Sequence, residues 1–194
     1  MNKRLWSGIA DALAPQTVLL TQSDQFARQA AVMVLITDEA SPQIIFTLRA
    51  KHLTYHAGEV CFPGGMWEPE DTTLLKSALR ETHEEIGLPP HLIEVLGVLP
   101  ERQTRNGTLV TPFVAYIPAG YGFAPNPAEL DSLFMVPLEQ FIAGLQIRTD
   151  IFEHNDLQSH MPAYAYQGYE IWGFTAAVIA DLLMLLRPLF KTVA

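Results

Sequence analysis

The order of apolar segments along this 194-residue chain predicts an α+β fold, in which a mostly mixed β-sheet is covered by helices. Two strand-like segments, 30–38 and 44–50, come first, and one clear helix follows at 71–86. Further strand-like segments then precede an apolar helix near the C-terminus. Strands and helices grouped in this way, without regular alternation, are typical of α+β domains. No linker-like segment divides the chain, so we expect one domain over residues 1–194.

The elements before the central helix follow from local patterns. Residues 1–28 predict a short amphipathic helix and a connecting loop. Residues 30–38 (AAVMVLITD) are apolar and β-branched, which is typical of a buried strand. Residues 44–50 (IIFTLRA) return as its hairpin partner after a turn. A polar loop and a Pro-Gly-Gly breaker at 63–65 lead to the helix.

The helix at 71–86 carries the strongest signal. Asp71 or Thr72 is expected to cap its start, and Gly87 followed by two prolines should end it. One stripe at spacings of four, three and four should face the core: Leu75, Leu79, Thr82 and Ile86. The charged residues are expected to lie away from that stripe: Lys76, Arg80, Glu81, Glu84 and Glu85.

The second half continues with strands and a final helix. Strands are expected at 92–99 and 108–117, followed by a Pro- and Gly-rich loop at 118–128. The segment LFMVPLEQFI predicts a strand that runs into a helical turn, and AYAYQGYEIWGF predicts a hairpin turning at Gln167-Gly168. The last helix is expected over about 175–187, stopping before Pro188.

Composition narrows the function classes. The chain is 49% hydrophobic, carries a net charge of −9 and contains one cysteine. This apolar fraction argues against general disorder, and a single cysteine allows no disulfide within the chain. The acidic charge excludes an overall nucleic-acid-binding surface, so an anionic substrate would need local positive charge or a metal. We expect a cytoplasmic protein with no nucleic-acid partner.

The most apolar segment, 171–186, raises the question of a membrane. It is shorter than the roughly 18–20 residues of a spanning helix and carries Asp181. The N-terminus has no continuous apolar stretch of signal-peptide length. A buried C-terminal helix and no membrane partner are therefore predicted, with membrane association through this segment as the alternative.

An acidic cluster at 80–88 (RETHEEIGL) points to chemistry. Glu81, Glu84 and Glu85 share one helix face, where like charges three or four positions apart repel. A solvated helix face is the simpler explanation. However, the acids lie at the C-terminal end of the helix, where the macrodipole disfavours negative charge. A glycine loop precedes the helix, and Arg80 can orient an acid by a charge-assisted hydrogen bond.

Such a cluster suits a hard cation. Carboxylate oxygens, a loop carbonyl and water form the oxygen set that Mg²⁺ or Mn²⁺ prefers. The cation neutralises phosphate oxygens, and a carboxylate positions or deprotonates the attacking water. The cluster therefore predicts phosphate ester or anhydride chemistry.

Residues 65–88 closely resemble the Nudix box, G-x5-E-x7-R-E-U-x-E-E-x-G-U, where U is a bulky aliphatic residue. The second half matches except at Thr82, which replaces an aliphatic residue. In the first half Asp71 replaces the usual Glu, and eight rather than seven residues separate it from Arg80. This expansion resembles the coenzyme A pyrophosphatase branch of the family.

A second motif at 47–65 also resembles that branch, whose signature reads roughly L-L-T-x-R-S-x-x-L-R-x-H-x-G-Q/E-V-x-F-P-G-G. Here Thr54 replaces an Arg and Phe46 replaces a Leu. The likeness extends over about 28–186, the expected domain core. It implies an α/β/α sandwich with a mixed sheet and a catalytic loop-helix-loop.

The resemblance also implies roles for individual residues. Glu81 and Glu85 would be the principal metal ligands, and Glu84 a further ligand or the residue that activates water. Arg80 would orient a glutamate, and the Gly65 carbonyl would complete the metal shell. The implied catalytic residues are Glu84, Glu81, Arg80 and Glu129, the last as a base from a distant loop.

Substrate contacts are expected from the neighbouring loop. The cations near it are Arg49, Lys51, His52 and His56, which would hold phosphates or else only keep a hairpin edge soluble. Glu59 would be a ligand or a support for one, and Gly64 would shape the loop.

Four more residues receive alternative roles. Arg102 and Arg105 are further phosphate candidates. His83 is expected to be structural, and Cys61 to be a small core residue rather than a nucleophile.

The hypothesis is a Mg²⁺- or Mn²⁺-dependent pyrophosphohydrolase. Its small-molecule nucleotide substrate would be coenzyme A or a derivative, cleaved to 4′-phosphopantetheine (or its derivative) and adenosine 3′,5′-bisphosphate. The missing Arg at Thr54 keeps open a Nudix hydrolase of ADP-ribose, a dinucleotide or NADH. A non-catalytic nucleotide-sensing module is the alternative from another class, and a homodimer is left open.

Overall fold

The computed structural model of the chain describes residues 3–17, 28–154 and 157–191. Its helices are α1 (Lys3–Thr17), α2 (Leu74–Ile86), α3 (Leu138–Ala143) and α4 (Gly173–Lys191), with a 3₁₀ turn at Pro90–Leu92. Its strands are β1 (Gln29–Asp38), β2 (Gln43–Arg49), β3 (Val60–Cys61), β4 (Gly64–Met66), β5 (Glu94–Val98), β6 (Arg102–Gln103), β7 (Leu109–Pro118), β8 (Leu130–Pro137), β9 (Gln146–His154), β10 (Leu157–Tyr166) and β11 (Tyr169–Ile171).

The main sheet is mixed, as predicted. Its central order is β3-β2-β1-β7-β5, and β4, β6 and β8 pair alongside β1, β7 and β2. Strands β1 and β7 run parallel over their whole length, whereas the other pairs are antiparallel. A separate antiparallel sheet has the order β11-β10-β9. Strand β1 therefore lies in the middle of the sheet, between β2 and β7.

Alternation along β1 separates two apolar layers. Val34 and Ile36 point into one cluster, which α1 and α4 cover. Met33 and Leu35 point into the other, which α2 covers. Side chains of a strand alternate between faces, so a strand buried on both sides reads as a continuous apolar run. The predicted α/β/α sandwich is confirmed.

The start of α2 differs from the prediction. Thr73 caps the helix, because its Oγ1 accepts the Lys76 N–H at 3.2 Å. Asp71 and Thr72 were the wrong candidates. The Asp71 carboxylate is instead bonded to Arg80, so it is not available to the first turn. Gly87 ends the helix as predicted, in the left-handed conformation at φ 70°.

The buried face of α2 is also only partly as predicted. Thr82 and Ile86 are buried, but Leu75 and Leu79 are only partly so. Glu85, expected on the charged side, is 1% exposed. It is buried because β4 packs against that side of the helix.

The ends of the chain hold two further differences. Helix α4 continues through Pro188 instead of stopping before it. A proline in the last turn removes only one N–H donor, and Leu186 and Leu189 beside it still pack into the core. Helix α1 is present as predicted, and most of the expected connecting loop lies outside the described residues. The predicted hairpin at Gln167-Gly168 is confirmed.

Strands β3, β4, β6 and β9 were not predicted, since the first three have only two or three residues. Across residues 3–17, 28–154 and 157–191, no helix combines the length and hydropathy that a membrane span requires.

A close contact between α1 and β5 allows a test of this packing. A Cβ added at Gly97 would lie 2.7 Å from Leu13 Cβ, an atom that cannot move without its helix. We expect Gly97→Ala to lower the free energy of unfolding by about 1–3 kcal/mol, as overpacked cores do. Urea denaturation measures the change. Gly122→Ala is the matched control, because nothing lies within 4 Å of that position. Equal stability of the two variants would contradict the contact.

Candidate active site

Two glycines bring a strand and a helix into contact. Strand β4 pairs with β1 at Gly64 and Gly65. A Cβ at Gly64, whose φ is 148°, would lie 2.3 Å from the Ala31 carbonyl oxygen. A Cβ at Gly65 would lie 2.4 Å from the carboxyl carbon of Glu81. Only glycine therefore lets the β4 backbone approach the acidic face of α2 this closely.

Glu85 is buried beneath this strand. The Gly64 N–H donates to its Oε2 at 3.1 Å, and Arg49 Nη1 lies 3.9 Å from its Oε1. Burial raises the Glu85 pKa to about 8, despite these two contacts. Burial also raises the pKa of Glu81, opposed by the neighbouring guanidinium of Arg80. For both carboxylates, burial therefore disfavours the charged form more than the neighbouring donors favour it.

Arg80 holds the outer acids in place. Its Nη1 donates to Glu81 Oε1 at 3.0 Å and to Glu84 Oε2 at 3.1 Å. Its Nε and Nη2 donate to the two Asp71 oxygens at 3.1 and 2.9 Å. Nη2 also donates to the Met66 carbonyl at 3.3 Å. This fork lowers the Asp71 pKa to about 2 and raises the Arg80 pKa, so Asp71 anchors the arginine instead of capping the helix.

A loop that closes the end of α2 carries Glu129 to the same place. The last carbonyls of a helix need donors from outside it. Here the N–H groups of Ala124 and Asn126 donate to Ile86 and Glu85 at 3.0 and 2.8 Å. Asn126 Nδ2 then donates to Glu129 Oε1 at 2.9 Å. The Glu129 charge contributes to the raised pKa values of Glu81 and Glu85.

These groups surround a cavity of about 450 Å³. Four carboxylates line it, together with one arginine, one histidine and the two glycines: Glu59, Glu81, Glu85, Glu129, Arg49, His56, Gly64 and Gly65. Its apolar wall includes Val60, Val110, Trp172 and Phe174. The volume suits a small ligand, and the lining combines charged and apolar side chains.

Four of the sequence candidates lie outside this cavity. Glu84 is on the open flank of α2, with its side chain 53% exposed. Arg80 stands behind the acids. Lys51 and His52 are exposed, and His52 Nε2 donates to the Ala128 carbonyl at 3.1 Å. The loop that carries these two cations turns away from the cavity, so the structure does not bring them to the acids.

Unlike Lys51 and His52, the basic residues His56 and Arg49 do line the cavity. His56 Nδ1 lies 2.8 Å from Glu59 Oε2, and both side chains line the cavity. Arg49 also lines it, and its Nε is buried with no hydrogen-bond partner found among the described residues. The side chain as a whole is 26% exposed, so the guanidinium can be reached from the cavity.

Three other residues singled out from the sequence are Arg102, His83 and Cys61. Arg102 donates from Nε and Nη2 to the Asp181 oxygens, both at 2.6 Å, so this arginine is engaged with α4. His83 is exposed on α2. Cys61 lines the cavity beside Thr47 Oγ1, 3.1 Å away, and burial raises its pKa to about 11. At neutral pH it is a thiol, which is a poor nucleophile.

The sequence patterns missed the contribution of α4. Trp172 and Phe174 lie about 100 residues from the glycine strand, yet they line the same cavity. Thr175 Oγ1 fixes the helix start by donating to the Val60 carbonyl at 2.9 Å. Both residues belong to the segment AYAYQGYEIWGF, for which the sequence predicts only a hairpin, and nothing local indicates which cavity they face.

The residues present fit a divalent cation. Within the described residues no three His, Cys, Asp or Glu side chains already stand as a metal cage. However, the absence of a Cβ at Gly65 lets the Glu81 carboxyl lie directly against the β4 backbone, and Glu85 is buried nearby. Glu81, Glu85 and the Gly65 carbonyl are the donors that could hold Mg²⁺ or Mn²⁺.

Comparisons with known proteins show which family the sequence resembles. A family model described as the NUDIX domain matches residues 27–155. An uncharacterized Nudix hydrolase, NudL, from Escherichia coli O7:K1 (strain IAI39 / ExPEC) is 38% identical over 156 residues, covering 80% of this chain and 81% of that one. NudL of Yersinia pestis (strain Pestoides F), also described as uncharacterized, is 35% identical over 167 residues, 84% of each chain.

Among solved structures, a Nudix hydrolase from M. Smegmatis, RenU, matches with a TM-score of 0.54. It is 18% identical and covers 86% of this chain and 87% of that one. At this identity the match supports the fold alone.

The two glycines should respond differently to alanine. In Gly65→Ala the Glu81 carboxyl can swing aside, so we expect a change in unfolding free energy within about 1 kcal/mol. The variant should lose stabilisation by Mn²⁺, which for a bound cation reaches about 2.7 kcal/mol at 100 times its Kd. In Gly64→Ala the backbone itself is in the way, so we expect a loss of at least about 2 kcal/mol with or without Mn²⁺. Thermal denaturation with and without Mn²⁺ separates the two. Mn²⁺ stabilisation of Gly65→Ala equal to the parent would contradict the proposed donors.

The Asp71–Arg80 pair predicts a pH dependence. The Asp71 pKa is lowered from 3.8 to about 2, so its stabilisation is present above pH 4 and is lost as the pH falls toward 2. We expect Asp71→Asn to cost about 1.5–3 kcal/mol at pH 7, the range for hydrogen bonds to a charged group. The difference from the parent should narrow between pH 4 and 2 in urea denaturation. The exposed Asp131→Asn serves as control, and a difference independent of pH would refute the assignment.

Proposed function

The chain belongs to the Nudix family, and we propose that it is a metal-dependent pyrophosphohydrolase that cleaves the diphosphate of coenzyme A or its derivatives. The family assignment rests on the domain match over residues 27–155 and on relatives that are 35–38% identical over at least 80% of the chain. Nudix hydrolases generally use divalent ions such as Mg²⁺ or Mn²⁺. The specific substrate and the residue roles below are the proposal.

One observation carries it. Glu81, Glu85 and Glu129 converge on a single cavity that also holds the partly unpartnered guanidinium of Arg49. An acidic cavity repels a diphosphate, whereas an acidic cavity that binds a cation attracts one. Burial raises the pKa of Glu81 and of Glu85 although Arg80 and Arg49 lie beside them, so a further positive charge at this position would stabilise both carboxylates. A diphosphate-binding metal site accounts for both features.

In this proposal the residues around the cavity have separate roles. Glu81 and Glu85, with the Gly65 carbonyl, would hold the cation. When bound, the cation neutralises charge on the diphosphate oxygens during phosphoryl transfer. Arg49 lies on the cavity wall beside Glu85, where its guanidinium would bind a phosphate oxygen. Arg80 would keep Glu81 oriented toward the cavity.

Placement favours Glu129 over Glu84 as the base. A general base must be within hydrogen-bond reach of the water it deprotonates. Glu129 lines the cavity and is held by Asn126, whereas Glu84 is on the open flank and hydrogen-bonded to Arg80. In the proposed reaction, water attacks one phosphorus of the diphosphate while Glu129 accepts its proton. The bond to the bridging oxygen breaks, and the second phosphate leaves.

The choice of coenzyme A rests on the two sequence motifs. The one-residue expansion of the Nudix box and the signature at 47–65 both resemble the coenzyme A pyrophosphatase branch. The products would be 4′-phosphopantetheine, or its derivative, and adenosine 3′,5′-bisphosphate. Thr54 favours a second candidate, because the branch has an Arg there. That candidate is a hydrolase of another nucleoside diphosphate derivative, such as ADP-ribose or NADH.

Amide variants test the division of roles. We expect Glu81→Gln, Glu85→Gln and Glu129→Gln each to lose at least about 100-fold in kcat, the lower range for acid–base groups. The Mn²⁺ concentration that gives half activity should rise for the first two and stay unchanged for Glu129→Gln, because only the first two remove ligands. The exposed Glu94→Gln is the control. Full metal-dependent activity in Glu81→Gln and Glu85→Gln would overturn the site.

The same assays identify the substrate. Coenzyme A, ADP-ribose and NADH are compared side by side with Mg²⁺ and Mn²⁺, and kcat/KM should be highest for coenzyme A. A preference for ADP-ribose or NADH would replace the substrate and leave the site in place. Turnover of none of the three would instead support a nucleotide-sensing module.

A further inference from the structure

An exposed indole lies on the apolar wall of the cavity. Trp172 is 41% exposed, although it lines the same space as the acids. Trp6, by contrast, is 4% exposed and its ring is stacked on Tyr116. None of the ring pairs found in the described parts of the chain includes Trp172. A large apolar side chain is thus left facing solvent where a ligand would enter.

The fold holds the backbone of Trp172 in a defined position. Residue 172 follows β11 directly and precedes α4. On one side, Ile171 is fully buried and paired with Tyr164. On the other, the buried hydrogen bond from Thr175 to the Val60 carbonyl fastens the first turn of α4 to β3. Because this backbone is fixed on both sides, a ligand that packs against the indole does not have to order the chain that carries it.

We propose that Trp172 is the surface on which the nucleobase of the substrate stacks. This inference rests on the proposed function, since it takes the acids, a cation and Arg49 to hold the diphosphate. A cavity of about 450 Å³ is within the range of small-ligand pockets. It accommodates the diphosphate and one of the two groups that flank it, so the group on the Trp172 side determines which end of the substrate is read.

A flat base matches this wall better than a saturated arm does. A nucleobase presents a π-face that gains stacking energy on an aromatic side chain without needing directed hydrogen bonds. The wall beside Trp172 is formed by Phe174, Val60 and Val110, which offer apolar surface to the rest of the nucleoside. A flexible pantetheine arm carries amides and gains only area burial there, while losing the freedom of its rotatable bonds.

Fluorescence binding tests the inference without turnover. AMP and ribose 5-phosphate differ only in the base, so AMP should quench tryptophan fluorescence of the Mn²⁺-loaded protein and ribose 5-phosphate should not. The quenching should disappear in Trp172→Phe. It should persist in Trp67→Phe, since Trp67 is 42% exposed but does not line the cavity. Equal quenching by both phosphates, no quenching by AMP, or quenching that persists in Trp172→Phe would overturn the proposal.

Kinetics provide a second readout. For the best substrate of the wild-type protein, Trp172→Ala should raise KM about tenfold or more, the effect expected from losing one base–aromatic stack, with kcat within about twofold. Trp172→Phe should recover most of the affinity. As a product-type competitor, AMP should bind Trp172→Ala at least tenfold more weakly, and 4′-phosphopantetheine should bind it as it binds the parent. Weakening of 4′-phosphopantetheine alone would assign the wall to the other half of the substrate.

Different results would contradict the proposed hydrolase activity and the proposed stacking on Trp172. If the wild-type protein hydrolyses no diphosphate substrate, the proposed function fails, whatever AMP does to the fluorescence. If it hydrolyses one and Trp172→Ala keeps the KM and the AMP affinity of the parent, only the stacking proposal fails. Circular dichroism of Trp172→Ala and Trp172→Phe confirms that both variants are folded before either result is interpreted.

Discussion

The candidate site depends on the close approach of the β4 backbone to helix α2. With side chains at Gly64 and Gly65, the strand would collide with the Ala31 carbonyl and the Glu81 carboxyl. Without them, one N–H of the strand reaches Glu85 and buries it. Burial is what raises the Glu85 pKa, and it also gives a bound cation a strong field from nearby carboxylates. The glycines thus allow the carboxylates to be buried, and a bound metal would stabilise their charged forms.

At the outer edge of the site, Arg80, anchored by Asp71, reduces the repulsion between the carboxylates. Glu81 and Glu84 both accept from one nitrogen of Arg80, whose other nitrogens are occupied by Asp71 and Met66. Arg80 is thus held by the acids and by Asp71, and it is not among the residues that line the cavity. The arginine that does line the cavity is Arg49, at the end of β2.

Local sequence predicts the parts of this arrangement that local physics controls. The apolar, β-branched run at 30–38 predicts β1, Gly87 predicts the end of α2, and the spacing of the acids predicts their common face. The prediction fails where a contact links distant segments. Asp71 was taken for a cap because nothing nearby in sequence shows that Arg80 reaches it. Glu85 was placed with the exposed charges because helix periodicity does not reveal the strand above it.

The same reasoning explains why the cavity has two unlike walls. The residues proposed to hold the metal come from one continuous stretch, 64–85, whereas Arg49 and Glu129 reach the same cavity from other segments. The opposite wall comes from segments separated by more than 60 residues, Val110 and Trp172, which only the sheet and α4 bring together. In the proposed function the first wall would act on the diphosphate. Differences between substrates would then be read by the second wall, where substitutions leave the acids and their supporting glycines untouched.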